Sequence, residues 1–197
     1  MVLTRESANF SKLTVTYQYV FKGLIFATLG VFLALPYIEI VKDYFWLIII
    51  LEIGSIIWLA FNKNELLYYL FTFLTGLTLA LLIDSSTTNA LVSALASTTL
   101  IVGGLTFYAS TTKHNYLNIG IILFYVLLGL VVAIVVNIFL QSSLLATSLS
   151  AITVLLFSVY IIYDTQQVLY TDISPLEGAI NLYLDILNMF TSILRLS

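Results

Sequence analysis

Residues 117–140 read LNIGIILFYVLLGLVVAIVVNIFL, and none of them carries a charge. An uninterrupted apolar run of about 20 residues is long enough to cross the ~30 Å hydrocarbon core of a bilayer as a helix, since each residue adds about 1.5 Å. A helix also satisfies its own backbone polar groups where no water is present. Five further segments, 19–40, 44–61, 66–83, 89–109 and 144–163, repeat the pattern, with short polar breaks between them. Of the 197 residues 61% are hydrophobic and 9% charged, and the mean hydropathy is +1.09. A soluble domain carries about 25% charged residues. The sequence therefore predicts an all-α integral membrane protein. Residues 1–18 read as a short cytoplasmic arm and 19–197 as a single transmembrane domain, in contact with the lipid bilayer.

The absence of Cys excludes disulfides and thiolate chemistry. A net charge of −3 without a basic run speaks against nucleic acid. With a single His, at position 114, neither a HExxH zinc motif nor a Ser–His pair is evident, and no cofactor is expected. Orientation follows the distribution of Lys and Arg over short loops. An inside N-terminus puts Arg5, Lys12, Lys22, Lys63 and Lys113 in the cytoplasm and leaves Lys42 and Arg195 outside. Trp46 and Trp58, near opposite ends of the second span, read as interfacial anchors. The small residues of GG at 103–104 and TGLTLA at 75–80 read as sites of close helix packing.

The last stretch, INLYLDILNMFTSILRLS at 180–197, differs from the other spans. Asn181, Asp185, Asn188, Ser192 and Arg195 follow a spacing of four, three, four and three. That spacing keeps them on one helical face, over a length of about 21 Å. A central Asp facing lipid costs roughly 2.5–3.5 kcal/mol on insertion scales. Facing the protein interior removes most of that cost. The expected architecture is seven transmembrane helices, six wrapped around a central, polar C-terminal helix. The competing reading, an amphipathic helix lying in the interface, normally calls for more Lys or Arg on the polar face.

Glu52 lies near the middle of the second span, where an ionisable residue is a functional-site hypothesis by default. Asp164 ends the sixth span and Asp185 sits about two turns into the seventh helix, with a Ser174-Pro175 turn between them. Two carboxyls brought together in a poorly solvated site cannot both ionise cheaply, and can share a proton. Lys63 is placed to act as a latch on either Asp. Asp84, Asp172, Glu177, Glu39, Asp43 and Glu65 read as solvated loop charges. Four function classes remain. One is a cation channel using Glu52, Asn181 and Asn188 along the path, with Asp164, Asp185 and Glu52 as transient Ca²⁺ contacts. Another is a non-conducting regulator of membrane partners. An intramembrane aspartyl protease is disfavoured because Asp185 sits in LYLD rather than beside glycine. A secondary transporter lacks its matched pair of interrupted helices.

SVYIIYDTQQV at 158–168 together with INLYLDILNMFTSILR at 180–195 resembles the transmembrane Bax inhibitor motif family, especially its bacterial branch. ILEIGSIIWLAFNK at 50–63 and YLFTFLTGLTLALL at 69–82 support the likeness, which covers nearly the whole chain. The resemblance implies a pH-sensitive Ca²⁺ leak channel rather than an enzyme. It makes Asp164 and Asp185 the di-aspartyl pH sensor, Glu52 the acidic residue of the second span, and Lys63 a basic latch. Relatives often carry Arg at the latch, and Lys cannot reproduce its planar bidentate pairing. The resemblance further implies a prokaryotic plasma membrane, a monomer, and the alternative of a regulator that binds a membrane protease or other partner protein.

Overall fold

Helix starts in this chain are set by short polar side chains standing just before apolar runs. Asn64 Oδ1 accepts from Leu66 N at 2.8 Å, Thr87 Oγ1 from Ala90 N at 3.2 Å, and Ser142 Oγ from Leu145 N at 3.3 Å. Ser174 Oγ accepts from Glu177 N at 3.2 Å, with Pro175 in the first helical position. Such caps satisfy backbone donors that the helix itself leaves free. The computed structural model describes residues 2–197, with side chains from Asn9 onward. Met1 and the side chain of Arg5, counted above on the cytoplasmic side, lie outside the described residues.

The helices are α1 (Val2–Ala34), α2 (Ile38–Asp43), α3 (Phe45–Phe61), α4 (Glu65–Asp84), α5 (Thr88–Thr111), α6 (Gly120–Leu140), α7 (Ser143–Tyr170) and α8 (Pro175–Leu196). There is no strand among the described residues. Five helical segments are long and apolar enough to cross a membrane: Asn9–Asp43, Glu65–Asp84, Thr88–Thr111, Leu117–Leu140 and Ser143–Tyr170. The apolar α3 is shorter, at 17 residues. The stretch read as an N-terminal arm is helical and runs on into the first span, and Leu13 and Thr16 within it are already buried.

Polar α8 packs against α7, α1, α5 and α4, while α3 lies on α4 and α6 on α7. Its buried residues include Leu182, Tyr183, Asp185, Met189 and Ser192. Tyr183 stands edge-on to both Tyr68 and Phe71, with ring centroids 6.0 Å away in each case, in a core shared with Leu59 of α3. The outer faces are apolar, as lipid requires: Trp46 is 75% exposed and Phe139 83%.

The two small-residue motifs behave differently. A Cβ on Gly76 would collide with the Ala27 carbonyl, and one on Gly30 with the Phe73 carbonyl, so α1 and α4 touch backbone to backbone. Gly103 and Gly104 face no protein atom within 4 Å. The close-packing expectation therefore holds at Gly76 and is corrected at 103–104, which lies on an exposed face of α5. The link from α6 to α7 is only two residues long. Gln141 takes a left-handed conformation (φ 50°), Ser142 caps the next helix, and Asn137 Oδ1 accepts from Ser142 N at 3.2 Å.

Candidate functional site

The α7–α8 turn builds the site. At the end of α7, Thr171 is extended, and its carbonyl accepts from Lys12 Nζ at 2.7 Å, a cation at the negative end of a helix. Three residues later the Ser174-Pro175 cap starts α8 in the reverse direction. Gly178 lets α8 lie close to α7, since a Cβ there would strike Val168. This antiparallel approach carries Asp164 and Asp185 into one site. Asp164 is 5% exposed and Asp185 3%. Their carboxyls are within hydrogen-bonding reach of one another. Asn181 Nδ2 donates to Asp164 Oδ1 at 3.3 Å. Asp185 Oδ2 is buried and accepts from no donor among the described residues, and neither Asp forms a salt bridge among them. Hydrogen bonding between two carboxyls requires a proton on one of them.

The other predicted residues divide. Asn181 joins the pair, whereas Asn188 turns its amide back to the Leu184 carbonyl at 2.8 Å and reaches neither Asp. Glu52 stands apart: its Oε2 accepts from Thr78 Oγ1 on α4 at 3.0 Å. No three of His, Asp and Glu converge among the described residues, so the three acids named as Ca²⁺ contacts are not gathered into one site. Lys63 does not reach Asp164 or Asp185. Its Nζ donates to Glu177 Oε2 at 2.6 Å, tying the α3–α4 turn to the first turn of α8. Glu177, read from sequence as a solvated loop charge, is the actual partner.

Three further groups were not singled out from sequence. Thr72 and Thr75 each donate to the carbonyl three residues back, the single Thr78 O–H is shared between the Thr75 carbonyl and Glu52 Oε2, and Thr75 also bonds the Tyr183 hydroxyl. With Thr75 donating to Thr72, the Tyr183 hydroxyl is the donor to Thr75. A polar track thus runs from Glu52 through Thr78 and Thr75 to Tyr183 on α8. Its signal was the three-residue spacing of Thr on an apolar helix. The third group is Gln166, 1% exposed, which holds the loop before α6 at two points: Nε2 donates to the His114 carbonyl and Oε1 accepts from Tyr116 N, both at 2.8 Å.

The family described as "Inhibitor of apoptosis-promoting Bax1" matches residues 10–197, which contain every residue of this site. The chain belongs to the Bax inhibitor family. Among its relatives, the Campylobacter jejuni protein Cj0236c is 37% identical over 97% of this chain and 91% of its own length. The Escherichia coli inner membrane protein YbhL is 33% identical over 70% of this chain and 64% of its own. The Golgi anti-apoptotic protein of vaccinia virus is 35% identical over 68% of this chain and 59% of its own. This Bax inhibitor family member is thus a multi-pass membrane protein whose two buried Asp residues meet between its last two helices.

Proposed function

We propose that the protein is a proton-regulated cation leak of the membrane, with Ca²⁺ as the permeating ion and α8 as its inner, central helix. The observation that carries this reading is the facing pair Asp164 and Asp185, buried between α7 and α8 without a salt-bridged cation among the described residues. Such a pair holds one shared proton, and its loss puts two negative charges side by side in a poorly solvated site. Charge repulsion then acts directly on the contact between the two helices. Glu52, on the polar track that ends at Tyr183, supplies an oxygen ligand of the kind hard cations prefer. The reading assigns no catalytic chemistry to the chain. It places the N-terminus in the cytoplasm from the Lys and Arg distribution, and a bacterial inner membrane is supported by the likeness to YbhL.

The test is Ca²⁺ influx into liposomes containing the purified protein and an internal dye, across acidic to neutral pH. A pH-dependent flux that flattens in the Asp164→Asn/Asp185→Asn variant is the expected result. Unchanged pH dependence in that variant removes the sensor role, and unchanged flux in Glu52→Gln removes that residue from the path.

The second reading, a non-conducting regulator of membrane partner proteins, draws on the likeness to the Golgi anti-apoptotic protein of vaccinia virus. Flux no greater than that of empty liposomes at every pH favours it.

A further inference from the structure

A crevice of about 480 Å³ lies between α1, α4, α5 and α8, within the ~300–1,000 Å³ range of small-molecule sites. It is separate from the Asp pair. Its walls are apolar: Leu24 and Val31 of α1, Leu79 of α4, Leu95 of α5, and Leu187 and Phe190 of α8. At the rim, Phe32 is 69% exposed and Leu95 51%, so the crevice opens on the face that lipid covers. At depth it is lined by buried side chains, Tyr183 at 0% and Phe190 at 7% exposure.

The dimensions say what fits. Along α1 and into the turn that follows it, the lining runs from Leu24 to Leu35. Those eleven steps span about 16 Å along the helix. The hydrocarbon of one leaflet is about 15 Å thick, half of the ~30 Å core. The end near Ile83 and Leu91 lies within about one turn of the α4–α5 loop, where spanning helices meet the interface, and the opposite end reaches mid-helix at Thr98. We propose that the crevice between α1, α4, α5 and α8 is a binding site for one acyl chain of a membrane phospholipid, lying along α1 and against α8. The headgroup stays at the interface near the α4–α5 loop. An occupant of this kind contacts the core helix directly, so lipid composition acts on the position of α8.

Thr98 separates this occupant from a polar one. Its hydroxyl is buried at the deep end with no protein partner, and would suit a ligand carrying a carbonyl oxygen. An acyl chain offers that hydroxyl nothing, so it binds equally well without it.

The test uses the full chain reconstituted with a phospholipid carrying a diazirine near the end of one acyl chain. Cross-linked peptides are mapped by mass spectrometry. Labelling is expected on residues 183–190 of α8 as well as on outward faces such as Ile121 and Phe139 of α6. Leu95→Trp, which fills the crevice, is expected to cut α8 labelling at least tenfold while leaving α6 labelling unchanged. Thr98→Val is expected to retain it. Wild-type labelling confined to outward faces overturns the proposal, as does α8 labelling that survives Leu95→Trp. Loss of labelling in Thr98→Val overturns it in favour of a polar ligand.

Discussion

Lys63 and Glu177, 114 positions apart in the chain, form an ion pair at 2.6 Å that fastens the α3–α4 turn to the start of α8. Both partners are partly exposed, the Lys side chain 49% and the Glu 31%, so solvent screens the pair and it contributes less than about 1 kcal/mol to stability. Its consequence lies in which residues are energetically coupled. In a double-mutant cycle read by thermal stability in detergent, Lys63→Met and Glu177→Gln are expected to be non-additive. Lys63→Met and Asp164→Asn are expected to add. Coupling of Lys63 to Asp164 instead would restore the latch read from the sequence.

The contact of α1 with α4 predicts opposite outcomes at glycines of the same chemistry. Gly76→Val forces two backbones apart and is expected to cost 1–3 kcal/mol or more, as overpacking does. Gly104→Ala meets open space in the middle of a helix and is expected to stabilise by roughly 0.5–1 kcal/mol. Midpoints of thermal unfolding in a mild detergent report both.

Removing the side-chain amide in Gln166→Leu leaves the Tyr116 N–H and the His114 carbonyl without their partner. A local loss of about 1.4 kcal/mol corresponds to tenfold more frequent opening of the 112–116 loop. Trypsin cleavage after Lys113 is expected to accelerate by about that factor, with the rest of the chain still folded. Equal cleavage rates would show that the loop is held by something else.

Tyr183→Phe keeps the ring that packs on Tyr68 and Phe71 and deletes the hydroxyl that meets Thr75. The expected stability loss is about 1 kcal/mol, the size of one buried hydrogen bond. In the liposome assay the variant is expected to lower flux while preserving its pH dependence, because the track is cut and the Asp pair is untouched. A changed pH profile with normal flux would place Tyr183 in the sensor instead.

At Gln141 the left-handed backbone is costly for a residue with a Cβ, by roughly 1–2 kcal/mol. Gln141→Gly is therefore expected to raise the unfolding midpoint and Gln141→Val to lower it. If both substitutions lower it, the Gln side chain itself matters to the turn.

The features legible in the sequence are the local ones. Asp164 and Asp185 meet as expected because a Ser-Pro cap and helical spacing, both short-range signals, govern that encounter. The partner of Lys63 was not legible, since it depends on how two elements far apart in the chain are brought side by side. Asn188 shares the polar face with Asp185, yet its amide is satisfied by its own helix, which spacing alone does not reveal. The glycine pairs were indistinguishable for a membrane-specific reason. Both the lipid-facing and the protein-facing sides of a span are apolar, so the pattern does not mark which face is inside. The family match supports the membrane character, and the contacts of α8 with α1, α5 and α7 rest on long-range packing.

Gln141 and Ser142 are the whole of the connection between α6 and α7. Fully extended, two residues reach only about 7 Å, far short of the ~30 Å core. The end of α6 and the start of α7 must therefore lie on the same side of the bilayer. The two stand in the bilayer as an antiparallel hairpin, the more hydrophobic α6 beside its more polar neighbour. The helix that supplies Asp164 thus has, on its outer side, a partner held in fixed antiparallel register that carries no charged residue of its own.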